Sequence, residues 1–205
     1  MKNNNNLREH VKGKAAALFF QHGPRHVSME EIAERSAISK KTLYQLFHHK
    51  HSIVQEVVDD LVRSHDQLFE TSLSISYDAI DEVLKQDAGL TLVCKSLRPS
   101  FFYELEMFFP DIWKQLEEYK LKVHRGIENN LRRGKEEGVY REDLDISLIS
   151  DLRLQQVANL LRPNILTNLG LNITVLVDEI TLLYLRAIST EKGRKQLQKY
   201  IDERN

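Results

Sequence analysis

The sequence predicts an all-α protein: an N-terminal three-helix domain with a helix-turn-helix, joined by a long fourth helix to a larger C-terminal helical bundle. Three observations predict it. Gly and Pro are sparse, 8 and 4 of 205 residues, and the intervals between them carry apolar residues at helical spacing. Charge is unevenly placed: the net charge is -1, yet residues 1–52 hold nine Lys/Arg against four acids, and six of the eight histidines. Within that basic quarter, two short helical patterns flank a tight turn. The composition, 41% hydrophobic and 29% charged, is that of a globular chain. The opening "MKNNNNLREH" has no signal-peptide core, and no stretch approaches the ~20 apolar residues that cross a bilayer. A cytoplasmic protein without a membrane partner is expected. The single Cys94 reads as an inert core thiol.

The first helix is expected from about Leu7 to Gln21, where Leu7, Val11, Ala15, Leu18 and Phe19 form one stripe and "HGP" ends it. Ser28 with Glu31 three residues on is a capping box, worth ~1 kcal/mol, that opens a second helix at Met29. Ile32 and Ala33 face inward, and the helix stops near Ser36. Ile38 can plug the turn and Ser39 can cap a third helix from Lys40. On that helix Leu43, Leu46 and Phe47 share one ~100° sector. Opposite stand Lys41, Gln45 and His48, with Tyr44 and Thr42 on the shoulders and Lys40 at the exposed start. A donor-rich face of this kind suits a DNA major groove, which offers guanine N7 and O6 to Lys and a donor–acceptor pair on adenine to Gln.

The stretch "SMEEIAERSAISKKTLYQLFHHKHSIVQEVV", residues 28–58, resembles the DNA-binding segment of TetR-family transcriptional regulators. The likeness rests on Ser28, the Ile32-Ala33 pair, Ser39, Thr42-Leu43-Tyr44, Phe47 and Lys50, and runs from roughly Leu7 to Leu61. Two departures stand out: Ala37 in the turn and Lys41 in the third helix occupy positions where the family often has Gly. Ala37 is strained if its φ is positive. The resemblance implies double-stranded DNA as partner, with Ser28, Tyr44 and Lys50 at phosphates, where contacts fix register without reading sequence. For Ser28, capping alone is the competing explanation. Ser39, Lys40, Lys41, Thr42 and Gln45 fall at the exposed start of the helix, the last four as base-edge candidates, and His48 beside a phosphate. "HHKH" lacks a carboxylate or cysteine at metal spacing. No metal or cofactor is expected.

From Ser52 a fourth helix runs to about Ser72, apolar on a broad face through Ile53, Val54, Val57, Val58, Leu61 and Val62. It is expected to touch both a reading domain, 1–52, and a body, 53–205. The body reads as helices over Tyr77–Leu97, Pro99–Met107, Pro110–Glu137, Asp145–Asn168 with a break at Pro163, Asn172–Ser189 and Thr190–Ile201. An unknown small-molecule effector is implied by the resemblance. "RPSFFYELEMFFPDIW" concentrates Phe101, Phe102, Tyr103, Met107, Phe108 and Trp113, which either line a cavity for it or pack as core. In the Asn172–Ser189 helix, Leu176, Ile180, Leu183, Tyr184 and Ala187 lie on one stripe while Val175, Leu182 and Leu185 extend apolar character to a second side. Two apolar faces want two partners, and the resemblance implies pairing across a two-fold axis in a homodimer; burial within one chain is the alternative.

The function expected is a ligand-responsive repressor that binds a palindromic operator as a homodimer. The chain offers no HExxH, no Gly-rich phosphate loop after a strand and no GxSxG elbow, so no enzyme is expected. The competing class is a helical protein-interaction module without specific DNA readout.

Overall fold

The structure, a computed structural model, describes residues 2–98, 100–160 and 172–203. Ten helices follow one another along these residues: α1 (Lys2–His22), α2 (Met29–Arg35), α3 (Lys40–Leu46), α4 (Lys50–Ile75), α5 (Ala79–Ser96), α6 (Ser100–Phe108), α7 (Pro110–Glu136), α8 (Ile146–Leu160), α9 (Ile173–Ile188) and α10 (Glu191–Asp202). Regular strands are absent among the described residues; a single bridge joins Tyr140 to Ser189. No described helix is long and apolar enough to cross a membrane. The expected architecture is therefore present, with the first helix starting five residues early, since Asn3 to Asn6 are weak helix formers but not breakers. The expectations for the Cys94 side chain, for Pro163 and for the end of the Asp145–Asn168 helix lie outside the described residues.

Two compact units divide the chain: residues 1–64 with 96–116, and residues 65–95 with 117–205. In the first, Val11, Ala15 and Phe19 of α1, Ile32 and Ala33 of α2, and Leu43 with Phe47 at α3 are all buried, as are Ile53, Val54, Val57 and Val58 of α4. This unit also takes in α6 and the start of α7, which lie far down the chain from residues 1–52.

The second unit is centred on a cluster of Ile80, Val83, Leu84, Leu131, Tyr140, Leu185 and Leu197. Tyr140 is its polar exception, its hydroxyl lying 3.0 Å from the Ala79 carbonyl and 3.2 Å from Asn130 Oδ1. A Cβ on Gly134 would run into that tyrosine's ring, so the α7 backbone comes this close only because the position is glycine.

Candidate nucleic-acid interface

The helix-turn-helix is built by two caps and one strained turn. Ser28 opens α2: its Oγ accepts from the Glu31 N–H at 3.2 Å, and its own N–H donates to Glu31 Oε2 at 2.6 Å, completing the capping box. Ser39 opens α3, its Oγ accepting from the Thr42 N–H at 3.0 Å and lying 2.8 Å from Thr42 Oγ1. Between them Ala37 has φ 55°, the only non-glycine residue at positive φ among those described. The turn that family members often give to glycine is here made by alanine at a steric cost.

With Leu43 and Phe47 turned inward, α3 presents Lys41, Tyr44 and Gln45 to solvent, Tyr44 being 44% exposed; the helix ends at Leu46 on an extended Phe47, so His48, expected on the same face, is exposed but lies beyond the helix. Most of the basic charge nearby is already occupied. Arg8 binds Glu56 and the Leu46 carbonyl, and its guanidinium lies 4.1 Å from the centre of the Phe47 ring, which secures the end of α3. Lys12 is held at 2.7 Å by both Glu9 and Asp60. Lys40 reaches back 2.7 Å to Glu30 and, through that hydrogen bond, holds the Glu30 carboxyl below its usual range. Both partners are exposed, so this pair exchanges cheaply for a phosphate. Lys41 makes no ion pair among the described residues. The uncommitted side chains of α3 are thus its central outward face.

Lys50 is partly buried, and its Nζ donates at 3.0 Å to the carbonyls of Arg25 and Val27. Burial lowers its pKa, opposed by the fields of Glu104 and Glu31. Its first role is to tie down the turn between α1 and α2. Of the histidines near the end of α3, His51 lies 2.9 Å from Asp111 and His49 Nδ1 accepts from the Ser52 N–H at 3.1 Å. Of the three, only His48 is without a partner among the described residues.

Sequence reasoning missed Glu104. This carboxylate is buried, accepts the Arg25 N–H at 2.9 Å, and fills the space a Cβ would need at Gly23, whose φ is +85°. Together with Lys50 it clamps the α1–α2 turn from both sides. The aromatic run around it has similar work. Phe101 is fully buried, edge-on to Phe20 at 5.3 Å and to Phe102, and Phe108 lies under the Arg25 guanidinium at 4.2 Å. Tyr103 and Met107 are exposed, and Trp113 is half-buried. These residues belong to the first unit, whereas a cavity among the described residues lies in the second and is lined by none of them. On α9, Tyr184 turns inward, while Leu183 and Ala187 stay exposed and Leu176 and Ile180 pack partly on a small cluster of Leu90, Leu160 and Val177.

A capped helix-turn-helix presenting a polar, basic helix face, continued into a helical body, defines a DNA-binding regulator. Residues 13–57, which hold the helix-turn-helix, match the family described as bacterial regulatory proteins, tetR family. Over 153 residues it is 28% identical to the HTH-type transcriptional repressor KstR2 of Rhodococcus jostii (strain RHA1), covering 65% of this chain and 68% of that one. The fold is similar to that of the ketosteroid transcriptional regulator KstR2 of Mycobacterium tuberculosis (TM-score 0.67, 18% identity, 90% of this chain and 95% of that one). It is also similar to a transcriptional regulator from Saccharomonospora viridis solved with choline (TM-score 0.74, 17% identity, 91% and 100%).

Proposed function

We propose that this protein is a ligand-responsive repressor that binds a palindromic operator as a homodimer, residues 1–52 reading DNA and residues 53–205 sensing the effector and dimerising. The observation that carries the reading is the outward face of α3, Lys41, Tyr44 and Gln45, without ion pairs among the described residues and followed by exposed His48, on a scaffold whose other cations are mostly committed internally. A face held ready in this way suits a polyanionic partner more than a protein surface. Lys41 and Gln45 read base edges, Thr42 and Lys40 assist at the helix start, and Ser28, Ser39, Tyr44, His48 and Lys50 position phosphates. The KstR2 relative's description as a repressor supports that direction, and the choline bound to one structural neighbour supports a small-molecule effector.

Selection of bound sequences from a random duplex pool tests the reading. An inverted repeat is expected, because a two-fold dimer sees two related half-sites. Non-specific duplex affinity should fall steeply with salt as phosphates regain counterions. Weak, salt-insensitive binding with no enriched sequence would return the protein to the class of interaction modules.

A further inference from the structure

The second unit holds a cavity of about 70 Å³, room for several waters or one small ring, walled on its apolar side by Phe69, Val123, Ile127 and Val157. Its polar lining is only partly satisfied. Arg153, 5% exposed, donates from Nη2 to Asp87 Oδ1 at 3.0 Å and to Thr181 Oγ1 at 2.9 Å, and from Nη1 to Gln156 Oε1 at 3.0 Å. Its face rests on the Tyr184 ring at 4.6 Å. Asn130 Nδ2 donates to the Ala79 carbonyl at 2.9 Å, and Gln86 Nε2 to Glu82 at 3.1 Å. Each of these donors has at least one acceptor.

Asp87 is bound on one side only: Oδ1 accepts from Arg153, whereas the residue is 7% exposed and its Oδ2 has no hydrogen-bond partner among the described residues. Leaving a buried acceptor unmade costs on the order of 1–3 kcal/mol, and more for a charged one, so this atom requires an explanation. His65 supplies a second open acceptor, and its tautomer follows from its neighbours. Lys122 sits 2.8 Å from Asp66, and the Tyr119 hydroxyl donates to the same Asp66 oxygen at 2.8 Å. Burial raises the Asp66 pKa, but the hydrogen bonds from Lys122 and Tyr119 outweigh it and leave the carboxyl below its usual range. An ionised carboxylate only accepts, so Tyr119 spends its one proton there. Its oxygen, 2.6 Å from His65 Nδ1, must then accept the Nδ1–H. Burial favours the neutral ring, so Nε2 carries a lone pair, without a partner among the described residues.

We propose that this cavity binds a small neutral molecule with an apolar body and hydroxyl groups, whose O–H donates to Asp87 Oδ2 and, where a second is present, to His65 Nε2. Neutrality follows from the Asp87–Arg153 pair, which is already balanced: a ligand carboxylate would face Asp87, and an ammonium would leave a buried positive charge. The inference deepens the effector reading and rests on it only for its consequence at DNA.

Four compounds on one ring test it against the full chain by calorimetry: cyclopentanol, cyclopentanone, cyclopentanecarboxylate and cyclopentylamine. The alcohol should bind at least tenfold more tightly than the ketone, since a site built around acceptors rejects an analogue without a donor. The carboxylate should not bind. Equal affinity for alcohol and ketone, preference for either ion, or no binding by any up to millimolar concentration overturns the proposal. Asp87→Asn unpairs buried Arg153 and risks the fold, so Tyr119→Phe is the working variant: it frees the His65 tautomer, so cyclopentane-1,3-diol should lose severalfold the affinity its second hydroxyl adds while cyclopentanol is unchanged, and a diol unaffected by the variant overturns the His65 contact. Nitrogen-15 imidazole spectra, assigned with His65→Gln, should show His65 protonated at Nδ1; an Nε2–H tautomer overturns the assignment. If the alcohol is preferred but operator affinity is unchanged, the ligand chemistry stands and the effector reading falls.

Discussion

Ala37 stands at φ 55° in the turn of the helix-turn-helix, where a Cβ costs roughly 1–2 kcal/mol. Glycine there removes that cost but loosens the unfolded chain by about 0.4–1 kcal/mol, so Ala37→Gly should stabilise the fold by about 0.5–1 kcal/mol, read as a higher urea midpoint at unchanged slope. The outward face of α3 separates by a different measurement. Lys41→Ala should relax preference at one or two base pairs of each half-site, whereas Tyr44→Phe should weaken all sequences alike by removing a phosphate partner. Uniform loss from both would erase the division between reading and positioning. In the second unit, burial raises the Asp87 pKa, with Asp178 adding to it, against the opposing pull of Arg153 and Thr181. The folded chain therefore holds that proton more tightly than the unfolded one. Its contribution is fully present below the unfolded carboxylate range, near ~3.9, and is lost as pH rises through the higher folded value. Asp60 and Asp66 are lowered and act in the opposite sense, so the stability difference between wild type and Asp87→Asn isolates the effect. That difference should shrink as pH rises from about 4 to 7 in urea unfolding; growth over the same range would show that Arg153 more than compensates burial.

At the scale of elements, α6 shows what local pattern could and could not convey. Caps and stripes made α2 and α3 legible, because Ser28, Glu31 and Ser39 act within three residues of their partners. Glu104 acts across 79 residues of sequence on the Arg25 N–H, and nothing in "SFFYELEMF" marks that carboxylate as buried. The aromatic density there was visible, but its use was not, since stacking on Phe20 and covering by Arg25 depend on which helices meet. The α9 sequence shows apolar residues on two sides, yet a wheel cannot say that Tyr184 falls on the inner side beneath Arg153. The histidine pair His49 and His51 is likewise spent on Ser52 and Asp111. The α6 clamp makes a prediction of its own. Glu104→Ala strips the Arg25 N–H of a charged acceptor worth about 1.5–3 kcal/mol, and the freed turn leads directly to Ser28. Operator affinity should drop several-fold beyond what the lost stability explains, and amide exchange at Arg25 should quicken. Unchanged exchange at that amide would show that the loop holds its place without α6.

At the scale of the whole molecule, the proposed homodimer rests on charge and apolar surface. Residues 1–52 carry five more cations than anions while the chain totals -1, so the reading end is the one drawn to a polyanion. One such end makes few phosphate contacts, and a single half-site offers few base edges. In the second unit, Leu148 and Leu152 of α8 and Val175 and Leu183 of α9 are all more than half exposed, an apolar stripe on each helix that a lone chain would leave in water. Covering both stripes with those of a second copy makes a four-helix contact and turns the second half-site into an intramolecular event. Avidity then exceeds single-site affinity by about 10²–10⁴ when geometry permits both contacts. Leu183→Glu tests this, because a side chain 60% exposed can be charged at little cost to its own chain. Sedimentation should find the variant monomeric with its thermal unfolding nearly unchanged. Its affinity for a duplex bearing both half-sites should fall at least a hundredfold, to that of a duplex bearing one, while the one-site affinity matches wild type. A variant that remains dimeric and holds the paired sites as tightly as before would place the two-fold contact on another face.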